Sequence, residues 1–445
     1  MEKFLWGASS AAAQIEGGYA DDGKGLSIWD EASINGHIRD GHSTFNACDA
    51  YHRTDEDVNL LKQLGANAYR FSLSWGRIIP DGTGKINEKG VKYYDNLINE
   101  LLKNGIKPMI TIYHWDLPLS LQKKGGLLND DFPKWFSYYA ETVAKLFGDR
   151  VEYFATFNEP ECICYLGYGT GSHAPFIKGG TEAATTAAHN LLIANGLAFR
   201  ALKKLCKTQV KVGFVIACAP RIPKTEKDEA VAKEATFDVC YHDADSLFNN
   251  AHFLDPIFLG EYPENIVSRY SRPFKFYGKD MDVIKCDMDF IGLNIYQGVF
   301  AADDGKGGYY DPHSPLNTPK SLGGANFTPT ACYYAPKFFN ERYGAPIFIT
   351  ENGVSLTDAV GFDGIVHDDS RTVFIHDYTA EIIRAKKDGI DVRGYFYWCL
   401  YDNLEWCSGF SCRFGLCNTD FETYLKTPKD SFWYYKKIIE ENKNL

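Results

Sequence analysis

The chain has 445 residues, 45% of them hydrophobic and 24% charged, and a formal net charge of -11. That balance is globular rather than disordered or collagen-like, and an acidic surface lacks the basic footprint of a phosphate-backbone binder, so nucleic acid is not an expected partner. No run approaches the ~18 apolar residues of a membrane span, and the twelve cysteines, without CxxC pairs, read as small buried hydrophobes rather than a zinc site or a disulfide framework.

Patterned sequence begins at once. The opening MEKFLWG has neither the basic n-region nor the apolar h-region of a secretory signal, which gives a cytoplasmic reading if the chain is complete. From there short β-branched or aromatic runs alternate with stretches of helical period, the pattern of parallel βαβ units. The first run, 4–15, leads to Thr54 and Asp57 at capping-box spacing, then to the stripe Val58, Leu61, Leu64 and a stop at Gly65. The second run, 68–75, is followed by Tyr94, Leu97, Ile98, Leu101 and Leu102, with Gly105 ending the helix and Pro108 beyond it. After the third run, 109–115, Phe132, Phe136, Tyr139, Val143 and Phe147 repeat the device before Gly148.

The fourth to eighth runs are 153–157, 210–217, 290–296, 347–350 and 393–398. The last of these follows the stripe Ile375, Tyr378, Ile382, Ala385 and a stop at Gly389. Eight parallel strands with crossover helices predict a single (β/α)8 TIM barrel over 1–445, and no Ser/Gly linker or like-charge block divides it. The stretch 301–343, rich in Gly, Pro, Asp and aromatics, reads as a long irregular loop overhanging the barrel mouth. Gly167, Gly169 and Gly171 lack the Gly-Lys-Ser/Thr ending of a phosphate loop and are set aside.

Reactive groups in (β/α)8 enzymes lie at the carboxyl ends of strands, where the loops gather. The fourth run ends in Thr156-Phe157-Asn158-Glu159-Pro160 and the seventh in Thr350-Glu351-Asn352-Gly353. A closed barrel brings both ends to one mouth. Two facing carboxylates are what glycoside hydrolysis requires, one to protonate the leaving oxygen and one to meet the oxocarbenium-like centre; at about 5 to 5.5 Å the second acts as nucleophile and configuration is retained. A lone glutamate at a strand end would read instead as a helix cap or an ion-pair partner. His114, with Asp116 nearby, could ligate a metal, but no second histidine stands at a ligand spacing.

The segments Thr156 to Pro160 and Ile349 to Gly353 resemble the two signature motifs of family 1 glycoside hydrolases. The resemblance extends through 4–17, 69–80, Tyr113-His114-Trp115-Asp116-Leu117-Pro118, 292–296 and 398–416. It implies Glu159 as acid/base and Glu351 as nucleophile, with no cofactor and no metal. Gln14, His114, Asn158, Asn294, Glu405 and Trp406 would hydrogen-bond the sugar, Trp398 would stack beneath it, and Arg70 and Tyr296 would orient Glu351, Tyr296 also facing the substrate. Glu159 excludes the myrosinase-like branch, where a Gln stands. The phospho-β-glycosidases of the family carry a small residue at the place of Glu405 and a Lys and a Tyr downstream, where this chain has Cys412 and Phe414. The implied substrate is therefore an unphosphorylated small-molecule β-glucoside or oligosaccharide, with β-galactosides and β-fucosides as further candidates. The aglycone, the balance with transglycosylation and any homo-oligomer are set by loops and surfaces and stay open.

Overall fold

The structure, a computed structural model, describes residues 3–240, 242–271 and 278–445. Met1 and Glu2, which open the N-terminal reading, lie outside them. Eight parallel strands close into a barrel: β1 Leu5–Ser9, β2 Ala68–Ser72, β3 Lys107–Tyr113, β4 Tyr153–Asn158, β5 Lys211–Cys218, β6 Phe290–Ile295, β7 Ile347–Asn352 and β8 Val392–Trp398. Each strand pairs with its neighbours in chain order, and β8 returns to β1, with Ser9 opposite Trp398. Every residue of β1, β2, β4, β6 and β7 is buried. That is why these strands read as continuous apolar runs rather than alternating ones.

Seven strands contribute to an apolar layer made of Leu5, Ala68, Met109, Tyr153, Phe290, Phe348 and Phe396. The eighth, β5, supplies Gly213, where an added Cβ would come within 2.1 Å of the Phe290 ring. The barrel interior is thus filled by side chains, and polar chemistry is left to the strand ends.

The outer helices follow their stripes. Val58, Leu61 and Leu64 are buried on Thr54–Leu64, and Gly65 closes that helix in the left-handed conformation at φ 78°. Phe132, Phe136, Tyr139, Val143 and Phe147 are buried on Phe132–Phe147, as are Ile375, Tyr378, Ile382 and Ala385 on Asp369–Lys387.

Four expectations are corrected. The run 4–15 is a strand that ends at Ser9 and a short helix, Ala12–Ile15, because the turn between them lets Gln14 face the mouth. Thr54 and Asp57 make no capping box: Asp57 is turned inward to Lys426 and Tyr401, an ion pair that sequence spacing does not reveal. Leu102 lies at the edge of its stripe and is 37% exposed. The stretch 301–343 is not irregular throughout. Ala331–Tyr343 is a helix burying Cys332, Ala335, Phe338 and Phe339 at helical spacing, with Pro336 inside it, and Val299–Asp303 pairs with Tyr309–Tyr310. Pro336 signals a break locally, and burial of that stripe outweighs it.

The loop after β8 is fixed by buried charge. Asp402 accepts from Lys429 Nζ at 2.8 Å and from the Gly415 N–H at 2.8 Å. Lys429 also reaches Asp358 at 2.5 Å, and Arg371 joins Asp358 to Asp368 at 2.8 and 2.5 Å. Lys429 and Arg371 are fully buried. Removing one partner from such a network leaves uncompensated charge in low dielectric. Lys429→Met is expected to cost about 3 to 5 kcal/mol, read as a lower urea midpoint at unchanged slope; a loss under about 1 kcal/mol would show the network to be dispensable.

Candidate active site

The carboxyl ends of β1, β2, β3, β4, β6, β7 and β8, with the segments that follow them, converge on one polar cluster. Arg70, the third residue of β2, lies at its centre and is fully buried. Its Nη1 donates to Glu351 Oε1 at 2.6 Å and to the Thr350 carbonyl at 3.2 Å, and its Nη2 donates to Asn158 Oδ1 at 2.6 Å. Glu351, at the end of β7, also accepts from the Tyr296 hydroxyl at 2.7 Å. Both carboxylate oxygens of Glu351 therefore have donors.

Glu159 is held differently. It follows the last residue of β4 and takes a left-handed backbone, φ 49°, which turns the chain from the strand into a helix. Its carbonyl accepts from the N–H groups of Cys162 and Ile163 at 3.0 and 3.2 Å. Pro160 lacks an N–H, a group that would have no partner at a helix start. The Glu159 carboxyl accepts from Asn294 Nδ2 at 2.8 Å and from the Cys162 thiol at 3.5 Å. No cation hydrogen-bonds to it among the described residues.

These surroundings separate the two acids. Burial and the neighbouring Glu351 charge push Glu159 up to about 7, against weaker lowering by the Asn294 and Cys162 hydrogen bonds. Burial also raises Glu351, but the Arg70 cation and the Arg70, Tyr296 and Asn294 hydrogen bonds oppose it. Where two acids compete, the one beside the guanidinium ionises first.

Asn294 sets the orientation of the amides. Thr350 Oγ1 donates to its Oδ1 at 2.7 Å, so its Nδ2 faces Glu159 and Asn158 Oδ1, at 2.8 and 3.0 Å. Asn158 must then donate through Nδ2 to His114 Nε2, 3.1 Å away. Burial holds the His114 pKa well below its usual value, so the ring is neutral and carries its proton on Nδ1, which has no partner among the described residues. Gln14 Nε2 donates to the Leu404 carbonyl at 2.8 Å and to Glu405 Oε2 at 3.4 Å, and its Oε1 has no partner among the described residues. Burial, then the charges of Glu351 and Glu159, push Glu405 up to about 8. The His114 ring lies nearly parallel to Trp398 and Trp406, at 20° and 23° with centroids 5.9 Å away in each case.

Arg70, His114, Asn158, Glu159, Asn294, Tyr296 and Glu351 thus share one hydrogen-bonded cluster, Trp398 and Trp406 lie beside His114, and Gln14 bonds to Glu405, whereas neither carboxylate oxygen of Asp116 has a partner among the described residues. Sequence reading missed Cys162, Thr350, Asn403, which accepts from Gln14 Nε2 at 3.2 Å, and Trp115, whose Nε1 donates to the Asn158 carbonyl at 2.9 Å. Cys162 stands three residues after Glu159, one helical turn on, and that spacing was the available signal.

A (β/α)8 barrel with two buried carboxylic acids in unlike environments at the ends of β4 and β7, among aromatic rings and amides, is built as a glycoside hydrolase. The chain belongs to Glycosyl hydrolase family 1, whose profile matches residues 1–444. It is 40% identical over 453 aligned positions to a 1,4-beta-D-glucan glucohydrolase of Thermotoga neapolitana, covering 99% of this chain and 98% of that one. It is 36% identical to a bifunctional beta-D-glucosidase/beta-D-fucosidase of Bifidobacterium breve, covering 99% and 98%. Among solved structures, a beta-glucosidase from Thermotoga maritima in complex with glucoimidazole superposes with a TM-score of 0.90 at 37% identity, covering 100% of this chain and 99% of that one.

The Glu351 charge contributes to the raised Glu159 pKa, so Glu351→Gln is expected to lower it from about 7 while leaving it above that of an exposed glutamate, since burial persists. Infrared difference titration of the carboxyl bands would check this, and an unmoved Glu159 would show that the two acids are not coupled.

Proposed function

We propose that the chain is a retaining β-glucosidase that releases terminal non-reducing β-D-glucosyl residues through a covalent glycosyl-enzyme. The observation that carries this reading is the unequal holding of Glu159 and Glu351. Glu351, beside the Arg70 cation, is the carboxylate that attacks the anomeric carbon as Glu159 gives its proton to the departing oxygen. Once Glu351 is an ester its charge is gone, Glu159 ionises more readily, and it takes a proton from the water that releases the sugar.

The sugar contacts follow from the free valences of the cluster. His114 Nδ1–H offers a donor and Gln14 Oε1 an acceptor, and Glu405, whose pKa stands at about 8, offers both. Asn158 and Asn294 lie nearest the two acids and are proposed to hold the 2-hydroxyl region. Trp398 supplies a flat face beneath the ring, and Trp406 the wall beside it. The relatives' names support glucosides first and fucosides next.

A 6-phosphate would enter a site where burial and then neighbouring carboxyl groups already lift Glu159 and Glu405, and where the Arg70 cation is taken by Glu351. An unphosphorylated sugar is therefore proposed, with no cofactor or metal. We further propose that 1–445 acts as one catalytic domain. All twelve cysteines are free thiols, which fits a reducing, cytoplasmic setting, and no described helix is long and apolar enough to cross a membrane.

The test is hydrolysis of an aryl β-D-glucoside beside its 6-phosphate, with the first-released anomer followed by NMR. β-Glucose released from the plain glucoside is expected; α-glucose, or preference for the phosphate, would overturn the reading. Glu159→Ala should accumulate glycosyl-enzyme from substrates with good leaving groups and recover turnover with azide, while equal loss on all leaving groups would make Glu159 structural. The pH profile of kcat/KM should fall as pH rises through about 7, where Glu159 loses the proton it must donate. Tyr296→Phe removes a donor that favours ionised Glu351, so the acid limb should move to higher pH, and an unmoved limb would exclude that role for Tyr296.

A further inference from the structure

Two residues beyond Glu159 stands a second glutamate that the proposed reaction does not use. Glu161 is fully buried. Its Oε2 accepts the Ala217 N–H of β5 at 3.1 Å, and its Oε1 has no partner among the described residues. The titratable groups around it are Glu159, Cys162 and Cys164 on its own segment and Cys218 on β5; none of these is a cation. An ionised carboxylate with one oxygen unpaired in such surroundings is far costlier than a neutral carboxyl. Burial accordingly pushes Glu161 well above the usual carboxylate range.

Its place in the ladder explains why it is there. β4 and β5 pair in register through Ala155 and Gly213, then shift, and the last pair is Asn158 with Val215. Past that point the Glu159 N–H still donates to the Val215 carbonyl at 2.9 Å. The next N–H along that edge of β5, that of Ala217, faces a strand that has already ended, and the Glu161 side chain meets it. Ala217 in turn pairs with Asn294 across β5 and β6, and Asn294 is the donor to Glu159 Oε1. Glu159 needs such support, because its positive φ is a conformation that a glutamate adopts only where its surroundings impose it.

We propose that Glu161 is a positioning residue for the acid/base step: a neutral carboxyl that replaces the missing β4 acceptor, ties the turn to β5, and so fixes the Glu159 carboxyl against Asn294. This role rests on Glu159 being the acid/base.

The experiment compares Glu161→Leu and Glu161→Gln on β-glucosides with good and poor leaving groups, with Glu159→Ala run in the same series. Leu removes the acceptor, so kcat/KM should fall on the order of tenfold or more for poor leaving groups and much less for good ones, where little acid help is needed. Gln keeps an acceptor without an ionisable proton, so it should rescue the poor leaving groups and leave the alkaline pH limb in place. Equal losses on both substrate classes in Leu, or a limb that moves to lower pH in Gln, would overturn the proposal, the latter because Glu161 would then have been a charge raising Glu159. If Leu does not fold, the Gln profile decides, with loss of a protonated-carboxyl infrared band at neutral pH as the expected companion. A flat leaving-group dependence in Glu159→Ala would instead remove the acid assignment itself, whereas a steep one there with a flat one in Leu removes only the role of Glu161.

Discussion

The Arg70 guanidinium is the interaction on which the site depends. It is fully buried at the centre of the barrel mouth, and it is bonded at once to β7 through Glu351 and the Thr350 carbonyl and to β4 through Asn158. An isolated buried carboxylate would protonate; one that accepts from a guanidinium and a phenol has that tendency opposed. The planar fork of arginine reaches two strands together, which a lysine point charge would not do. One side chain on β2 thus ties the carboxyl ends of β4 and β7 to each other across the mouth.

From that asymmetry the division between the two acids follows. Both are glutamates, both buried, both at strand ends, and only their neighbours differ. Glu351 has the cation, while Glu159 has an amide and a thiol and feels the charge of Glu351. The third acid, Glu405, is lifted by burial and then by the other two, and is tied to Gln14. The mouth therefore holds acidic groups whose surroundings differ, Glu351 beside a cation and Glu159 and Glu405 without one, and it is this difference that the proposed double displacement would use.

The frame around the mouth is rigid for related reasons. The apolar layer of seven strand side chains fills the barrel, and the Asp402–Lys429–Asp358–Arg371–Asp368 chain fixes the loop that bears Glu405 and Trp406. Trp406 is packed against Trp115 and Trp29, with centroids at 4.4 and 4.6 Å, so the aromatic wall is anchored by its own contacts. Amide, imidazole and carboxyl orientations in the mouth are each decided by a neighbour already fixed, from Thr350 to Asn294 to Asn158 to His114.

The sequence by itself determined the eight strands, the helix stripes and the two glutamate motifs, because period and strand-end position are local properties of the chain. It was legible at Gly65 and Phe136, and at Glu159 and Glu351, where residue type and neighbours in sequence suffice. It misled at Pro336, at Asp57 and at the run 4–15, where the deciding partners are a buried apolar stripe, Lys426 and the mouth contacts of Gln14. Only the tertiary structure decided which nitrogen of His114 bears the proton and what Glu161 and Cys162 touch. Those are matters of burial and of atoms brought together from different strands, and a field set by such neighbours is not written in any one stretch of chain.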